Sequence, residues 1–245
     1  MPYSFPDVVY PLRRGNYNDE LRYSLRSLSN VPHGKVIVSG YVPNWLTNVV
    51  AIDREQTEPS GWAKARANIE AALGEASDPF YLFNDDFYVM QPMDEIPVMH
   101  NGPLAETIER FRRTRHTGAY WRGMVATHRV LEEWGYSNPL GYELHMPLLI
   151  HHKPFLTALD MGQGIEALAI RSMYGNVAQL QGEQKEDCKV MARAGVLDYD
   201  QWPFVSSNDD LSYSPVGKYL AREFPEPSIY EQGLGVMDIT HAPYP

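Results

Sequence analysis

In the first half of the chain, short apolar runs alternate with segments whose apolar residues recur at helical spacing. The runs have the length of buried strands, and they occupy residues 7–12, 35–39, 48–52 and 80–83. One helix is predicted after Asn18, which can cap its first turn, and a second is predicted to end at Gly74. Strands alternating with helices predict an α/β fold, with a mainly parallel sheet covered on both faces.

The second half of the chain is more helical. Helical spacing predicts helices over residues 104–114, 124–134, 165–174 and 214–224, and residues 142–150 are predicted to form a strand interrupted by Pro147. Residues 225–245 are rich in Pro and Gly and are predicted to lie irregularly on the surface. Without a visible repeat or linker, residues 1–245 are predicted to form a single domain, with a helical elaboration at about residues 100–140.

Composition is that of an ordinary globular protein, with 44% hydrophobic and 21% charged residues. No apolar run approaches the ~20 residues that a membrane span needs, and the first residues lack the pattern of a secretory signal. The single cysteine, Cys188, excludes an intramolecular disulfide. Together these features favour a cytoplasmic location.

The formal net charge of −10 argues against a broad, nonspecific grip on nucleic acid. A local exception is the basic segment, residues 110–116 together with Arg122. It can be a solvated helix end, where cations favour the helix dipole. It can also be a surface that binds an acceptor or a phosphate.

The first candidate site residues are Asn84, Asp85 and Asp86, which directly follow the apolar run at residues 80–83. The carboxyl ends of strands in open α/β sheets are where ligands bind. Adjacent carboxylates there suit Mg²⁺ or Mn²⁺, which takes one or two carboxylates plus phosphate oxygens of a substrate. The alternative is a capping turn after a core strand.

Further polar groups that follow core-like segments are Glu20 with Arg22, His145, Arg171, and Asn208 with Asp209. The sequence shows no zinc-ligand spacing, P-loop, dinucleotide fingerprint or Gly-x-Ser-x-Gly elbow. What remains is carboxylates for a hard cation, an Arg for phosphate and a His for proton transfer. That set suits transfer from a nucleotide-activated donor.

Residues 19–28, Asp-Glu-Leu-Arg-Tyr-Ser-Leu-Arg-Ser-Leu, closely resemble the second half of the first signature block of the Stealth proteins. These are sugar-1-phosphate transferases that include bacterial capsule-polymer enzymes and the lysosomal-enzyme N-acetylglucosamine-1-phosphotransferase. Similar blocks follow in order: a strand, Gly and Pro-x-Trp-Leu at 36–46, Asn-Ile-Glu at 68–70, Asn-Asp-Asp at 84–86, His-Met-Pro at 145–147, Arg171, and Asn-Asp at 208–209. The blocks are scattered over most of the chain, although matched residues are a minority.

The resemblance implies a GT-A-like fold, the Rossmann-type sheet of nucleotide-sugar transferases. It also implies Mg²⁺ or Mn²⁺ at Asp85 and Asp86, with Asp86 the stronger candidate, and His145 and Arg171 at the reacting phosphate. His145 is then a general base and Arg171 a phosphate clamp. A satisfied core His and a surface helix Arg are the alternatives.

Donor contacts are assigned to Glu20, Arg22, Gly40, Asn84, Asn208 and Asp209. An exposed helix pair is the alternative for Glu20 and Arg22, and a turn is the alternative for Asn208 and Asp209.

The predicted function is metal-dependent transfer of a glycosyl or sugar-1-phosphate group from a nucleotide-sugar to an acceptor hydroxyl, and the expected donor is a UDP-sugar. The acceptor is a saccharide or a modified base of DNA. Residues 7–15 depart from the family pattern, and the family's large insertions are missing. The resemblance therefore does not determine the acceptor or the type of bond that is formed. The other hypotheses are a non-catalytic nucleotide-sugar or polysaccharide binding module and a metal-dependent hydrolase.

Overall fold

A five-stranded sheet forms the centre of the molecule. The structure is a computed structural model that describes residues 5–15, 18–189, 202–207, 211 and 214–232. Its strands are β1 (Asp7–Leu12), β2 (Val36–Gly40), β3 (Val50–Asp53), β4 (Phe80–Leu82), β5 (Phe87–Val89), β6 (Met99–His100), β7 (Leu148–Ile150), β8 (Glu183–Gln184) and β9 (Phe204–Ser206). The α-helices are α1 (Asp19–Ser27), α2 (Gly61–Ala72), α3 (Leu104–Arg113), α4 (Ala119–Glu133), α5 (His152–Met161), α6 (Ile170–Val177) and α7 (Pro215–Glu223).

The strand order in the central sheet is β3-β2-β1-β4-β7. The first four strands are parallel, and β7 runs antiparallel to β4. The mainly parallel sheet predicted from the sequence is therefore confirmed, and the architecture is a Rossmann-like α/β fold.

Helices cover both faces of this sheet, as predicted. Because neighbouring residues of a strand point to opposite faces, Val8 and Tyr10 pack with α1, whereas Val9 packs with α2, α5 and α6. The two apolar layers hold the carboxyl ends of β1, β2 and β4 at one edge.

Beyond β4, the chain turns into β5, which pairs antiparallel with β9. Two serines of α1 hold β5 in place: Ser24 Oγ donates to the carbonyl of Phe87 at 2.6 Å, and Ser27 Oγ accepts from the amide of Val89 at 3.1 Å. These buried hydrogen bonds fix the backbone that carries the acidic doublet.

Several predicted elements differ from the structure. Residues 142–147 are not a strand, because amides there bond to side chains: Tyr142 donates to Ser172 Oγ at 3.0 Å and His145 to Asp187 Oδ1 at 2.9 Å. Only Leu148–Ile150 pairs in the sheet. Helix α6 begins five residues later than predicted and α4 five residues earlier, and α5 was missed although it has helical spacing.

Two further details differ from the sequence-based expectation. Asn18 precedes α1 with φ 54°, but its side chain makes no capping bond and donates instead to the Arg13 carbonyl at 3.4 Å. Of the tail, the structure describes residues 225–232, which lie in no helix or strand, as predicted, but include the side chain of Glu231, which is only 3% exposed.

Candidate functional site

Asp85 and Asp86 lie in the turn that joins β4 to β5, at the carboxyl edge of the central sheet. The amide of Phe87 donates to the Asn84 carbonyl at 3.3 Å and closes this turn. Both acidic residues are half-buried. β4 has a strand on either side, so the doublet lies within the edge where parallel sheets bind ligands.

The carboxylate of Asp86 is held by two donors that reach the same oxygen. Oδ2 accepts from Lys189 Nζ at 3.3 Å and from Ser206 Oγ at 3.0 Å. Ser206 is in register with Phe87 across the β5–β9 pair, and Lys189 forms an isolated bridge with Ser206. The pairing of β5 with β9 therefore brings a cation to the acidic doublet.

His145 lies in the loop before β7 and is paired with Asp187. Its ring Nδ1 is 2.6 Å from Asp187 Oδ2. The two side chains are 33% and 38% exposed, so the pair is open to solvent on one side.

Arg171 is the second residue of α6, and it is only 7% exposed. Its guanidinium donates to two backbone carbonyls, that of Met146 at 2.6 Å and that of Leu82 at 3.5 Å. Within the described part of the chain it forms no ion pair. Burial lowers the pKa of Arg171, and the negative charges of Glu143 and Asp86 oppose that shift.

The ring of Phe87 brings these groups together. The Arg171 guanidinium carbon lies 5.0 Å from the ring centroid, and the His145 ring lies 6.2 Å away at an interplanar angle of 83°. Asp86 is the neighbouring residue. Two residues predicted to be catalytic, one from a loop and one from a helix, thus contact one buried phenyl ring, and Asp86 precedes that ring in the chain.

Glu20 belongs to the same acidic end of the molecule. Burial raises the pKa of the Tyr88 phenol, and the negative charges of Asp86, Glu20 and Asp85 add to that effect. The phenol shares a hydrogen bond of 2.8 Å with Ser207 Oγ. Glu20 and the acidic doublet therefore act on the same phenol, and the assignment of Glu20 to the donor site stays a prediction.

Arg22 has contacts of a different kind. Its guanidinium carbon lies 3.9 Å from the Trp45 ring centroid, and Nη1 is 3.1 Å from Glu231 Oε2. These contacts tie α1 to the segment before the C-terminus, so Arg22 has a clear structural role.

The remaining predicted donor contacts are spread along the carboxyl edge or lie elsewhere. Gly40 ends β2 with φ 111°, close to the side chain of Asn68. Asn84 is exposed on the turn before the doublet. Asn208 and Asp209 fall outside the described residues.

Sequence reasoning missed Asp187, Lys189 and Ser206. Asp187 is 42 residues from His145, and Ser206 is 120 residues from Asp86. The stretch around Asp187 is merely charged, without helical or strand periodicity, so no spacing rule connects it with the site.

The metal-ligating side chains at this edge are too few to hold a metal ion by themselves. They fit a metal ion whose remaining ligands come from a bound substrate and water. Among the described residues, no group of three or more His, Cys, Asp or Glu is placed to hold a metal ion. Asp85 and Asp86 offer hard oxygen ligands, and Mg²⁺ is usually bound by one or two carboxylates with phosphate oxygens and water completing the shell. The doublet matches that arrangement.

A scan of known protein-family models finds no match to this chain, and a search of curated proteins finds none either. In the part of the chain that the structure describes, no helix is both long and apolar enough to cross a membrane.

Proposed function

We propose that this protein is a metal-dependent transferase that moves a sugar-1-phosphate or glycosyl group from a nucleotide-sugar to an acceptor hydroxyl. The observation that carries the proposal is the buried guanidinium of Arg171, which lies beside the His145–Asp187 pair and the Asp85–Asp86 doublet. Among the described residues, no carboxylate forms an ion pair with this guanidinium, and the charges of Glu143 and Asp86 act on it only from a distance. A buried charge in that situation is costly. An anionic group of a ligand would repay that cost, and a diphosphate is such a group.

Arg171 and Lys189 are the proposed ligands of the donor phosphates. A guanidinium has five N–H donors, and the Arg171 hydrogen bonds described above use two of its nitrogens. Arginine binds phosphate oxygens in a bidentate fashion. The Lys189 ammonium, 3.3 Å from Asp86, can move to a phosphate oxygen when a metal takes its place on the carboxylate.

His145 is the proposed general base. With Nδ1 donating to Asp187, Nε2 keeps its lone pair and can take the proton of the acceptor hydroxyl as the new bond forms. Such proton transfer contributes about 10²–10⁴-fold to a rate. The nucleoside mono- or diphosphate then leaves, depending on whether phosphorus or the anomeric carbon is attacked.

Asp85 and Asp86 would hold the divalent cation. When bound, the ion supplies positive charge that neutralises the donor diphosphate. The similarity of residues 19–28 and 84–86 to Stealth blocks supports phosphoryl transfer as the reaction.

A donor screen tests the proposal. Purified protein is heated with each UDP-sugar, in Mn²⁺ or Mg²⁺, and the melting temperature is recorded. A donor at 100 times its Kd adds about 2.7 kcal/mol of stability. We expect at least one donor to raise the melting temperature only when the metal is present.

Product analysis then separates the alternatives. Mass spectrometry distinguishes a sugar-phosphate ester from a glycoside, because the former carries an extra phosphate. Product formed equally without acceptor indicates a hydrolase, and binding without turnover indicates a binding module. If no nucleotide-sugar binds under any metal condition, the proposal is wrong.

The matched variants are Arg171→Met and Arg129→Met. We expect Arg171→Met to weaken UDP binding at least tenfold by calorimetry, because a charge-assisted phosphate contact is lost. Arg129 is 79% exposed and pairs with Glu133 on α4, so its variant should bind UDP normally. Equal affinities in the two variants would remove Arg171 from the donor site.

A further inference from the structure

Asp187 holds His145 at two points. Its Oδ1 accepts from the His145 amide at 2.9 Å, and its Oδ2 accepts from ring Nδ1 at 2.6 Å. The first bond fixes the backbone that carries the imidazole, and the second fixes the ring. We infer that Asp187 is the positioning residue that sets the orientation and tautomer of His145 for proton transfer, an inference that rests on the proposed function.

The two-point contact determines which ring nitrogen carries the proton. A carboxylate only accepts hydrogen bonds, so Nδ1 must be protonated and Nε2 must be the basic nitrogen. The hydrogen bond on one ring nitrogen sets the state of the other. The ring also packs edge-on against Phe87 at 6.2 Å, so rotation would break a hydrogen bond and a packing contact together.

The charge of Asp187 suits this role. Burial raises its pKa, but hydrogen bonds from the His145 ring and from the His145 and Lys189 amides, together with the charge of a protonated His145, outweigh that effect, so the net pKa is below the usual range. Asp187 is therefore ionised at neutral pH and stabilises the imidazolium that forms when His145 accepts a proton.

The neighbours of Asp187 keep it in place. Cys188 Sγ donates to the His145 carbonyl at 3.0 Å, and the Cys188 carbonyl accepts from the Ser206 amide at 3.3 Å. Lys189 pairs with Asp86 at 3.3 Å. Three consecutive residues, 187–189, thus contact the proposed base and the acidic doublet, which distinguishes this segment from an isolated surface ion pair.

Asp187→Asn is the direct test, because the amide has the shape of the carboxylate but carries no charge. Its NH2 group can also donate a hydrogen bond, whereas a carboxylate can only accept. We expect kcat to fall by about 10²-fold or more, with the KM for the donor changed less than about twofold. The pH dependence of kcat should also shift, which loss of a purely structural contact would not cause. Asp160→Asn, an exposed carboxylate on α5, is the matched control and should behave as wild type.

Nitrogen NMR of the His145 ring gives a readout that does not need turnover. Wild type should show the Nδ1–H tautomer, and Asp187→Asn should lose it or mix it with the Nε2–H form. If the variant retains both the tautomer and kcat, the inference is overturned. If the tautomer changes as expected but wild type transfers nothing from any donor, the positioning role stands and the proposed function fails.

Asp187→Glu covers the case in which Asp187→Asn does not fold. It retains the carboxylate, so the Nδ1–H signal should persist and part of the turnover should return. A folded Asp187→Glu protein that lacks this signal would also overturn the inference.

Discussion

At the scale of single residues, the site combines one buried cation with a cluster of carboxylates. Arg171 is 7% exposed, and removing a charge from water costs several kcal/mol even after relaxation. Two carbonyl contacts satisfy hydrogen bonds, and the charges of Glu143 and Asp86 offset part of the cost, but no described carboxylate forms an ion pair with the guanidinium. We propose that an anionic ligand supplies this contact, which is why Arg171 carries more weight in our proposal than its position in the sequence suggested.

Asp86→Ala should abolish metal-dependent turnover while the protein stays folded, because the residue is half-buried on a turn and, in the proposed function, its carboxylate binds the cation. Activity across a Mn²⁺ titration, with circular dichroism for the fold, measures this. The control is Asp53→Ala, an exposed carboxylate at the end of β3 on the same sheet edge. Full activity in Asp86→Ala would refute the metal assignment.

At the scale of elements, the backbone conformation and packing at the end of β2 explain why residue 40 is glycine, without reference to a ligand. With φ at 111°, the position is strained for any residue with a side chain, and a Cβ would overlap the Asn68 side chain and the Leu12 carbonyl. Gly40 therefore has a structural reason to be glycine, beside its predicted role in binding the donor.

Gly40→Ala should lower the free energy of unfolding by about 1–3 kcal/mol, the usual cost of a strained backbone conformation. Urea denaturation measures it. Gly61→Ala is the control, since an added Cβ there has no neighbour within 4 Å, and its stability should stay within about 0.5 kcal/mol of wild type. Equal stability of the two variants would contradict the argument.

The segment before the C-terminus is attached to α1 through one carboxylate. Glu231 accepts from Arg26 at 2.8 Å at both oxygens and from Arg22 at 3.1 Å. Burial raises the pKa of Glu231, but hydrogen bonds from Arg26, the Ser228 amide and Arg22 outweigh it, so the pKa is lowered. Its stabilising effect is therefore present above the unfolded-state pKa and lost as pH falls through the folded-state value.

Glu231→Gln should cost about 2 kcal/mol at pH 7, a typical value for hydrogen bonds to charged groups. The cost should shrink as the pH falls from about 4 towards the lowered folded-state pKa of Glu231, because the unfolded chain then binds the proton before the folded protein does. Thermal unfolding at pH 7 and at pH values below about 4 tests this. Glu133→Gln, with a partner that is 79% exposed, should change little, and a pH-independent cost in Glu231→Gln would show that charge is not the cause.

At the scale of the whole molecule, the distribution of charge distinguishes between the two possible acceptors, a saccharide and DNA. The chain carries −10 overall, yet residues 110–122 hold five of its 21 Lys and Arg and none of its 31 Asp and Glu. This segment spans the end of α3 and the start of α4. Its aromatic rings are engaged internally: Phe111 packs on Tyr120 at 5.9 Å, and Trp121 Nε1 donates to the Ile108 carbonyl at 3.0 Å.

We therefore expect duplex DNA to bind only nonspecifically, with a Kd above about 10⁻⁵ M at physiological salt. Fluorescence anisotropy between about 50 and 200 mM salt measures this. Tight binding that is lost when Arg110 and Arg115 are both changed to Glu would instead favour the modified-DNA acceptor over a saccharide. The double variant should leave the binding of UDP unchanged.

Local patterns determined much of the scaffold. The apolar runs of β1, β2 and β4 encode burial on both faces, and alternation with helices encodes the parallel sheet. The position of Asp85 and Asp86 beyond β4 follows from that, because the carboxyl end of a strand is known once the strand is known. The non-strand path of residues 142–147 shows where amides bonded to distant side chains overrode a local apolar pattern. Helix α5, by contrast, follows its own helical spacing, so its absence from the prediction has no tertiary cause.

Only the tertiary structure decided how the site is assembled. His145 and Asp187 meet across 42 residues, and Lys189 reaches Asp86 because β9 pairs with β5. The burial of Arg171 depends on where α6 packs against the end of β4. Sequence periodicity reports which face of an element is buried, but it holds no information on which loops of a folded sheet become neighbours.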